Sequence, residues 1–333
     1  MNFEAHSERT LDRPVVSVVI VNYNGKKFLN DCLDSLLTNG FKRYSFEIIV
    51  VDNCSQDGSQ ELLRNFPGIK YIESSVNTGF TGGNNIGAHA AKGDFLLLLN
   101  NDTRVETCLD PLVDAMSKSN IGAIGCQLRY GDGRLQFSVG YEHSPLRVVL
   151  SWLGLERKSF LPSIFRRIDT SPHHYSSEHD KSVDWVSGAA LLTPKLVWDK
   201  LGGLDDSYFM YCEDVDYCRR AREQGWKVVY QRDCIVTHYE GAGRAWIGCR
   251  ALLNTSRSYF IYITKHYGSL RGRITCLCLS AIFLLRFMAF LASSHLQKNP
   301  SSRSLGIDKA TAYKLAAQQL FLAAISGNAP TRS

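Results

Sequence analysis

Residues 95–105 read FLLLLNNDTRV, a phenylalanine and four leucines that run without a break into Asn100, Asn101 and Asp102. A continuous apolar run of this length marks a strand covered on both faces. Asn and Asp are ordinary turn residues, so a plain turn would account for the polar close. The other reading is that open parallel sheets carry their ligand chemistry just beyond the carboxyl ends of the strands, where a carboxylate can hold a metal ion. The neighbouring segments decide between the two.

Three more strand patterns precede this one: VVSVVIVN (15–22), SFEIIVVDN (45–53) and KYIESS (70–75). Between them lie GKKFLNDCLDSLLTNG (25–40), apolar at helical spacing and closed by Gly40, then SQELLRNF (59–66) and TGFTGGNNIGAHAAKG (78–93). Strands alternating with short helices imply right-handed βαβ crossovers and a mostly parallel, doubly wound α/β sheet. Asn22, Tyr23 and Asn24 follow the first strand, Asp52 and Asn53 end the second, Asn77 follows the third, and Asn100 to Asp102 follow the fourth. Four polar strand ends on one sheet edge describe a site.

Composition narrows the class. At 333 residues and 44% hydrophobic the chain is globular, and a net charge of +6, concentrated in TKHYGSLRGR (264–273) and SIFRRI (163–168), is too dilute for a nucleic-acid surface. The polar opening MNFEAHSERTLDRP lacks the pattern of a signal peptide, which places the folded part in the cytoplasm. Ten cysteines without a C-x-x-C pair point to reduced, packed thiols rather than zinc or disulfides.

Individual motifs are less decisive. Gly79, Gly82, Gly83 and Gly87 stand where a strand hands over to a helix, a place suited to an anion, but they match neither the dinucleotide fingerprint nor a P-loop. The competing reading is a tight turn with a helix N-cap at Asn84 or Asn85. Asp52 suits a ribose hydroxyl or a base N–H, or else an Asx-turn into the helix at Ser59. In YFMYCEDVDYCRRAREQG (208–225), Glu213, Asp214 and Asp216 favour a helix start for its own sake, yet a helix start at a site mouth also suits a general base. Asp216 should point away from Asp214 and pair with Arg219 or Arg220 as surface support. His238, in IVTHYEG, is a lone histidine after an apolar strand.

VSVVIVNYN, IIVVDNCSQDGS, NTGFTGGNNIG, LLLLNNDT, VSGAALLTPK, GGLDDSYFMYCEDVDYCRRAREQGW and VTHYEGAG occur in this order. Together they resemble the family-2 inverting glycosyltransferases of GT-A fold, nearest the rhamnosyltransferase-like branch of bacterial surface polysaccharide assembly. The likeness covers residues 15–243. It implies a nucleotide-sugar donor, with dTDP-L-rhamnose the first guess, and a glycan or lipid-linked acceptor. It also implies that Asn100-Asn101-Asp102 stands for the Asp-x-Asp that binds Mg²⁺ or Mn²⁺ on the donor diphosphate. With Asn at the first position, Asp102 is the only carboxylate ligand of the triplet, and His238 is the further ligand. Donor contacts fall to Tyr23, Asn24, Asp52, Asn77, Gly79, Asn84, Asn101 and Asp102, the base to Asp214, and weaker acceptor contacts to Trp185 and Glu213. Rival readings are a metal-dependent nucleotidyltransferase, for which VNYNGKKF is a poor loop, and a catalytically silent scaffold.

The resulting division is a polar tail (1–14), a nucleotide-sugar-binding half (15–140), a lid or variable loop (141–182), an acceptor-binding and catalytic half (183–250) and a helical, membrane-associating region (251–333). Ile274 to Ala292 is just long enough to cross a bilayer, with Lys265, Arg271 and Arg273 before it. Arg286 interrupts that run, so the helix is expected to lie on the inner face of the cell membrane with Arg286 snorkelling. A chain ending near Thr264 is then expected to remain soluble and folded. No oligomeric state is fixed by the sequence.

Overall fold

A computed structural model describes residues 15–116, 120–155, 181–239, 248–297 and 299–330. The polar tail, much of the expected lid and the final EGAG of the last motif lie outside the described residues. The first half alternates β1 (Val16–Asn22), α1 (Lys26–Asn39), β2 (Phe46–Asp52), α2 (Ser59–Asn65), β3 (Ile69–Glu73), α3 (Gly79–Ala90) and β4 (Phe95–Asn100). These four strands are parallel in the order β3-β2-β1-β4, and register pairs Asn22 with Asp52 and Val21 with Asn100. That register brings the polar strand ends to one edge.

The second half follows with β5 (Thr103–Val105), α4 (Asp110–Met116), β6 (Ile121–Arg129), β7 (Leu135–Gln136), β8 (Val139–Gly140), α5 (Pro145–Trp152), β9 (Lys181–Ser182), β10 (Trp185–Val186), β11 (Ala190–Pro194), α6 (Lys195–Leu201), α7 (Glu213–Glu223) and β12 (Lys227–His238). The sheet continues past β4 as β11-β6-β12-β5. β11 runs antiparallel to both of its neighbours and β5 antiparallel to β12, while the two-residue strands β7 and β9 pair antiparallel with β6 and β12, so four reversed strands make the sheet mixed.

The glycines of α3 serve packing. A Cβ on Gly83 would come within 2.6 Å of Val21 and one on Gly87 within 2.3 Å of Val19, so the helix sits on β1 at a distance only glycine allows. Helix α3 starts at Gly79, which places Asn84 and Asn85 in its second turn and corrects the N-cap expected there.

Three helices end the chain: α8 (Cys249–Tyr267), α9 (Ser269–Leu296) and α10 (Pro300–Ser326). Tyr262, Phe283 and Ala316 from them share one buried cluster with Val186, Leu191 and Val228 of the sheet half. Helices α9 and α10 form an antiparallel pair in which Ser280 Oγ donates to Ala317 O at 2.9 Å. Arg286 does not snorkel. Its Nη1 donates to Tyr313 Oη at 2.9 Å and its Nη2 to Trp152 O at 2.5 Å, so the side chain is held inside the seam of α5, α9 and α10.

Candidate active site

Asn100 to Asp102 lie where three elements converge. On one side is the end of β1, where Asn101 Nδ2 donates to Asn22 Oδ1 at 2.8 Å. On the other is the turn before β11, where Asn100 N donates to Ala189 O at 3.0 Å. Behind lies β12, whose register against β5 pairs His238 with Thr103. This pairing puts His238 Nε2 3.3 Å from Asp102 Oδ1. Asn100 Nδ2 is 3.1 Å from the same nitrogen, and His238 Nδ1 is 3.2 Å from Gln136 Oε1.

These contacts fit a divalent cation. If Nδ1 carries its proton toward the Gln136 carbonyl, Nε2 presents a lone pair to the Asp102 side. An imidazole nitrogen and a carboxylate oxygen then face one another, the pairing a hard or borderline cation takes. Among the described residues no group of three or more His, Cys, Asp or Glu forms a cage, so the remaining ligands must come from the substrate or water.

The residues expected to contact the donor form a tight polar lattice. Asp52, fully buried, accepts from Asn22 Nδ2 at 2.8 Å and from Ser55 N at 2.9 Å. Asn24 holds Gln56 N at 2.7 Å and is itself left-handed at φ 52°. Asn77 Oδ1 accepts from Asn53 Nδ2 at 3.0 Å and from Gly79 N at 2.9 Å. Gly79, at φ 77°, lies under Phe209, where a Cβ would come 2.3 Å from the Phe209 carbonyl oxygen. Tyr23 stands at the rim, 44% exposed. Asn84, by contrast, is buried and donates to Phe80 O at 2.9 Å, so it braces α3 rather than facing the strand ends.

Asp214 opens α7 behind Tyr211 and Cys212, both left-handed, at φ 72° and 64°. Non-glycine residues there cost about 1–3 kcal/mol each and mark a loop held in place by its surroundings. Gly188 N donates to Asp214 Oδ2 at 2.9 Å and Val215 N to Oδ1 at 2.8 Å, which fixes the carboxylate plane. Burial raises its pKa, and the backbone donors offset only part of that rise. Glu213 is 6% exposed, and its Oε2 has no hydrogen-bond partner among the described residues. Burial, and then the Asp214 charge, push its carboxyl well above the usual range. Both carboxyls are thus raised, Glu213 the further of the two.

Asp216 is no surface residue. It is fully buried, ion-paired to Arg220 Nε at 2.6 Å and Lys265 Nζ at 2.7 Å, and hydrogen-bonded to His266 Nε2 at 2.7 Å. His266 and the two cations outweigh its burial and lower its pKa to about 2.

A cavity of about 270 Å³ has Asn100, His238, Glu213, Asp214 and Trp185 in its wall, and its lining includes neither Asp102 nor the expected nucleoside residues Asn24, Asp52 and Asn77. Small-molecule sites begin at roughly 300 Å³. Sequence reasoning missed His143, Thr255 and Tyr259, which line the same cavity. The His143 ring packs 5.8 Å from Trp185 and 5.7 Å from Tyr259. His143 lies in an aperiodic stretch and Tyr259 in the helical C-terminal region, so no local pattern pointed to either.

Residues 17–178 match the sequence model of Glycosyl transferase family 2. The chain carries a family-2 glycosyltransferase domain. It is 27% identical to the N-acetylglucosaminyl-diphospho-decaprenol L-rhamnosyltransferase of Mycobacterium tuberculosis, over 76% of this chain and 86% of that one. It is 28% identical to the O-antigen biosynthesis protein RfbC of Myxococcus xanthus, over 69% of this chain but only 18% of RfbC. A solved structure of similar fold is the mannosyltransferase PcManGT from Pyrobaculum calidifontis in complex with GDP-Man and Mn²⁺, with TM-score 0.54, 16% identity, 93% of this chain covered and 87% of that one. The glycosyltransferase fold is therefore GT-A, extended by a helical C-terminal region.

Proposed function

We propose that this glycosyltransferase moves a sugar, with L-rhamnose from dTDP-L-rhamnose the first donor to test, to a glycan or lipid-linked acceptor with inversion, in surface polysaccharide assembly. The observation that carries the reading is one cavity walled by both His238, paired with Asp102, and Asp214. The rhamnosyltransferase name of the mycobacterial relative supports the donor, and the Mn²⁺ complex of the mannosyltransferase supports a divalent ion.

Asp102 and His238 would hold Mg²⁺ or Mn²⁺, which would supply charge neutralisation for the leaving diphosphate. Asp52, Asn24 and Asn77 face the nucleoside, with Tyr23, Gly79 and Asn101 around them. Gly188 N and Val215 N hold the Asp214 carboxylate in one orientation, with lone pairs left to take the proton of the attacking hydroxyl. Glu213, kept neutral by burial, donates its own proton in a hydrogen bond to the acceptor, and Trp185 lies against the acceptor sugar. One base serving one displacement gives inversion.

The test incubates the protein with dTDP-, UDP- and GDP-sugars in Mn²⁺, in Mg²⁺ and in chelator, and follows release of the nucleoside diphosphate and its affinity. Metal-dependent release from dTDP-L-rhamnose, with nucleotide binding lost in Asp102→Ala, is expected. Equal dTDP affinity in chelator and in Mn²⁺, or release from none of the donors, overturns the reading.

A further inference from the structure

Helix α9 is apolar on two faces. One is buried, with Leu279, Ile282 and Phe283 in the core cluster, and there Ser280 bonds Ala317 O and Arg286 bonds Tyr313 and Trp152 O. The other is open to solvent, with Ile274 50%, Leu277 46%, Leu285 62% and Met288 54% exposed. These positions recur at helical spacing along a helix of 28 residues, about 42 Å long. The most apolar 18-residue window of α9 has a mean hydropathy of 2.3 and is only 33% buried, whereas a core helix of that composition would be mostly covered. The end of α10 beside Arg273 adds Leu322 and Ile325, 64% and 58% exposed.

Charge identifies what covers this face. Residues 251–333 hold ten of the chain's 38 Lys and Arg but one of its 32 Asp and Glu, so this region is strongly cationic while the rest of the chain is net negative. Arg271 and Arg273 stand exposed at the start of α9, and Lys314 beside Leu315 on α10. An apolar stripe with a basic surround fits an anionic lipid surface, where apolar insertion and headgroup attraction add. Helix α10, antiparallel to α9, exposes Arg303, Asp308 and Lys314 along its length, so the pair lies on the bilayer and does not cross it. Helix α8, which packs against α9 and α10, also supplies Thr255 and Tyr259 to the catalytic cavity.

We infer that the outer face of α9, with the end of α10, is a docking surface for an anionic membrane and seats the cavity beside that surface. The inference stands on this face alone and does not depend on which sugar is transferred. Its test is flotation of the full chain with vesicles of phosphatidylcholine, alone or mixed equally with phosphatidylglycerol. Wild type should float with the anionic vesicles and be released by salt. The double variant Leu277→Asp, Leu285→Asp should lose about tenfold in bound fraction. Arg271→Glu with Lys314→Glu, which leaves the apolar stripe whole, should lose the preference for anionic lipid. All these positions are exposed, so the melting temperature should stay at the wild-type value. Wild type floating no better than the Leu variant overturns the inference. So does a wild-type dimer, seen by sedimentation velocity, that the Leu variant splits while neither protein binds vesicles, for then a second copy covers the face.

Discussion

Glu213 and Asp214 adjoin in sequence and share a cavity, yet Asp214 accepts from Gly188 N and Val215 N while Glu213 Oε2 has no hydrogen-bond partner among the described residues. Asp214→Asn keeps the size and one of the two backbone hydrogen bonds but cannot take a proton. We expect transfer to fall about 10²–10⁴-fold with nucleotide affinity unchanged. Near-wild-type transfer in this variant would remove Asp214 from the base role. Glu213 makes a different prediction, in stability. Its folded pKa is raised above the unfolded value, so its favourable contribution is full at acid pH and is lost as pH rises through the folded value. Glu213→Gln stays neutral at every pH. It should therefore gain stability over wild type at alkaline pH and lose that advantage at acid pH, as urea unfolding midpoints across the range will show. A constant difference between the two proteins would mean that the carboxyl does not titrate in the folded state as its burial demands.

Helix α7 shows how much a local pattern can carry. Its acidic start and basic end were legible, and so was the pairing of Asp216 with Arg220. The burial of Asp216 was not, because it depends on the last turn of α8, fifty residues later in the chain. There Lys265 and His266 reach Asp216, while Tyr267 reaches Glu142, which also holds Arg219 and Arg222. The helix that presents Asp214 is thus clamped by three consecutive residues of the C-terminal region. Asp216→Asn leaves those cations without their counter-charge and should cost about 3–5 kcal/mol at neutral pH. Since the Asp216 pKa is lowered in the folded state, its stabilisation is present above the ordinary carboxylate pKa and is lost as pH falls toward about 2. The gap between wild type and variant should close over that interval, and a gap independent of pH would show that the ion pairs contribute nothing. Helix α3 was misjudged in a similar way. Its glycines looked like an anion loop or a turn, but spacing cannot reveal that Gly83 and Gly87 rest on Val21 and Val19. Gly87→Ala should destabilise by about 1–3 kcal/mol through overpacking, measured by urea unfolding, with nucleotide affinity retained.

At the scale of the molecule, the parallel half of the sheet followed from strand periodicity, whereas His238 entered the expected site only through the family resemblance, and it is the β12–β5 register that sets it beside Asp102. The reversed β11 and the shared C-terminal core did not follow from periodicity, since both arise from pairings between segments far apart in sequence. That difference reverses the expectation that a chain ending near Thr264 stands alone. Residues beyond it supply Lys265 and His266 to Asp216, the Arg273 bonds that tie α9 to α10, and the Phe283, Tyr313 and Ala316 side chains of the main buried cluster. Removing them uncovers Tyr262, now fully buried, and leaves Asp216 with Arg220 as its remaining cation among these three partners. Large uncovered apolar area and a half-paired buried carboxylate are each enough to unfold a marginally stable protein. We expect the chain ending at Thr264 to aggregate, or to unfold without a cooperative transition in urea, rather than to stay soluble and bind nucleotide. A truncated chain with a sharp transition and wild-type nucleotide affinity would establish instead that the helical region is an appendage and that the clamp on α7 is dispensable.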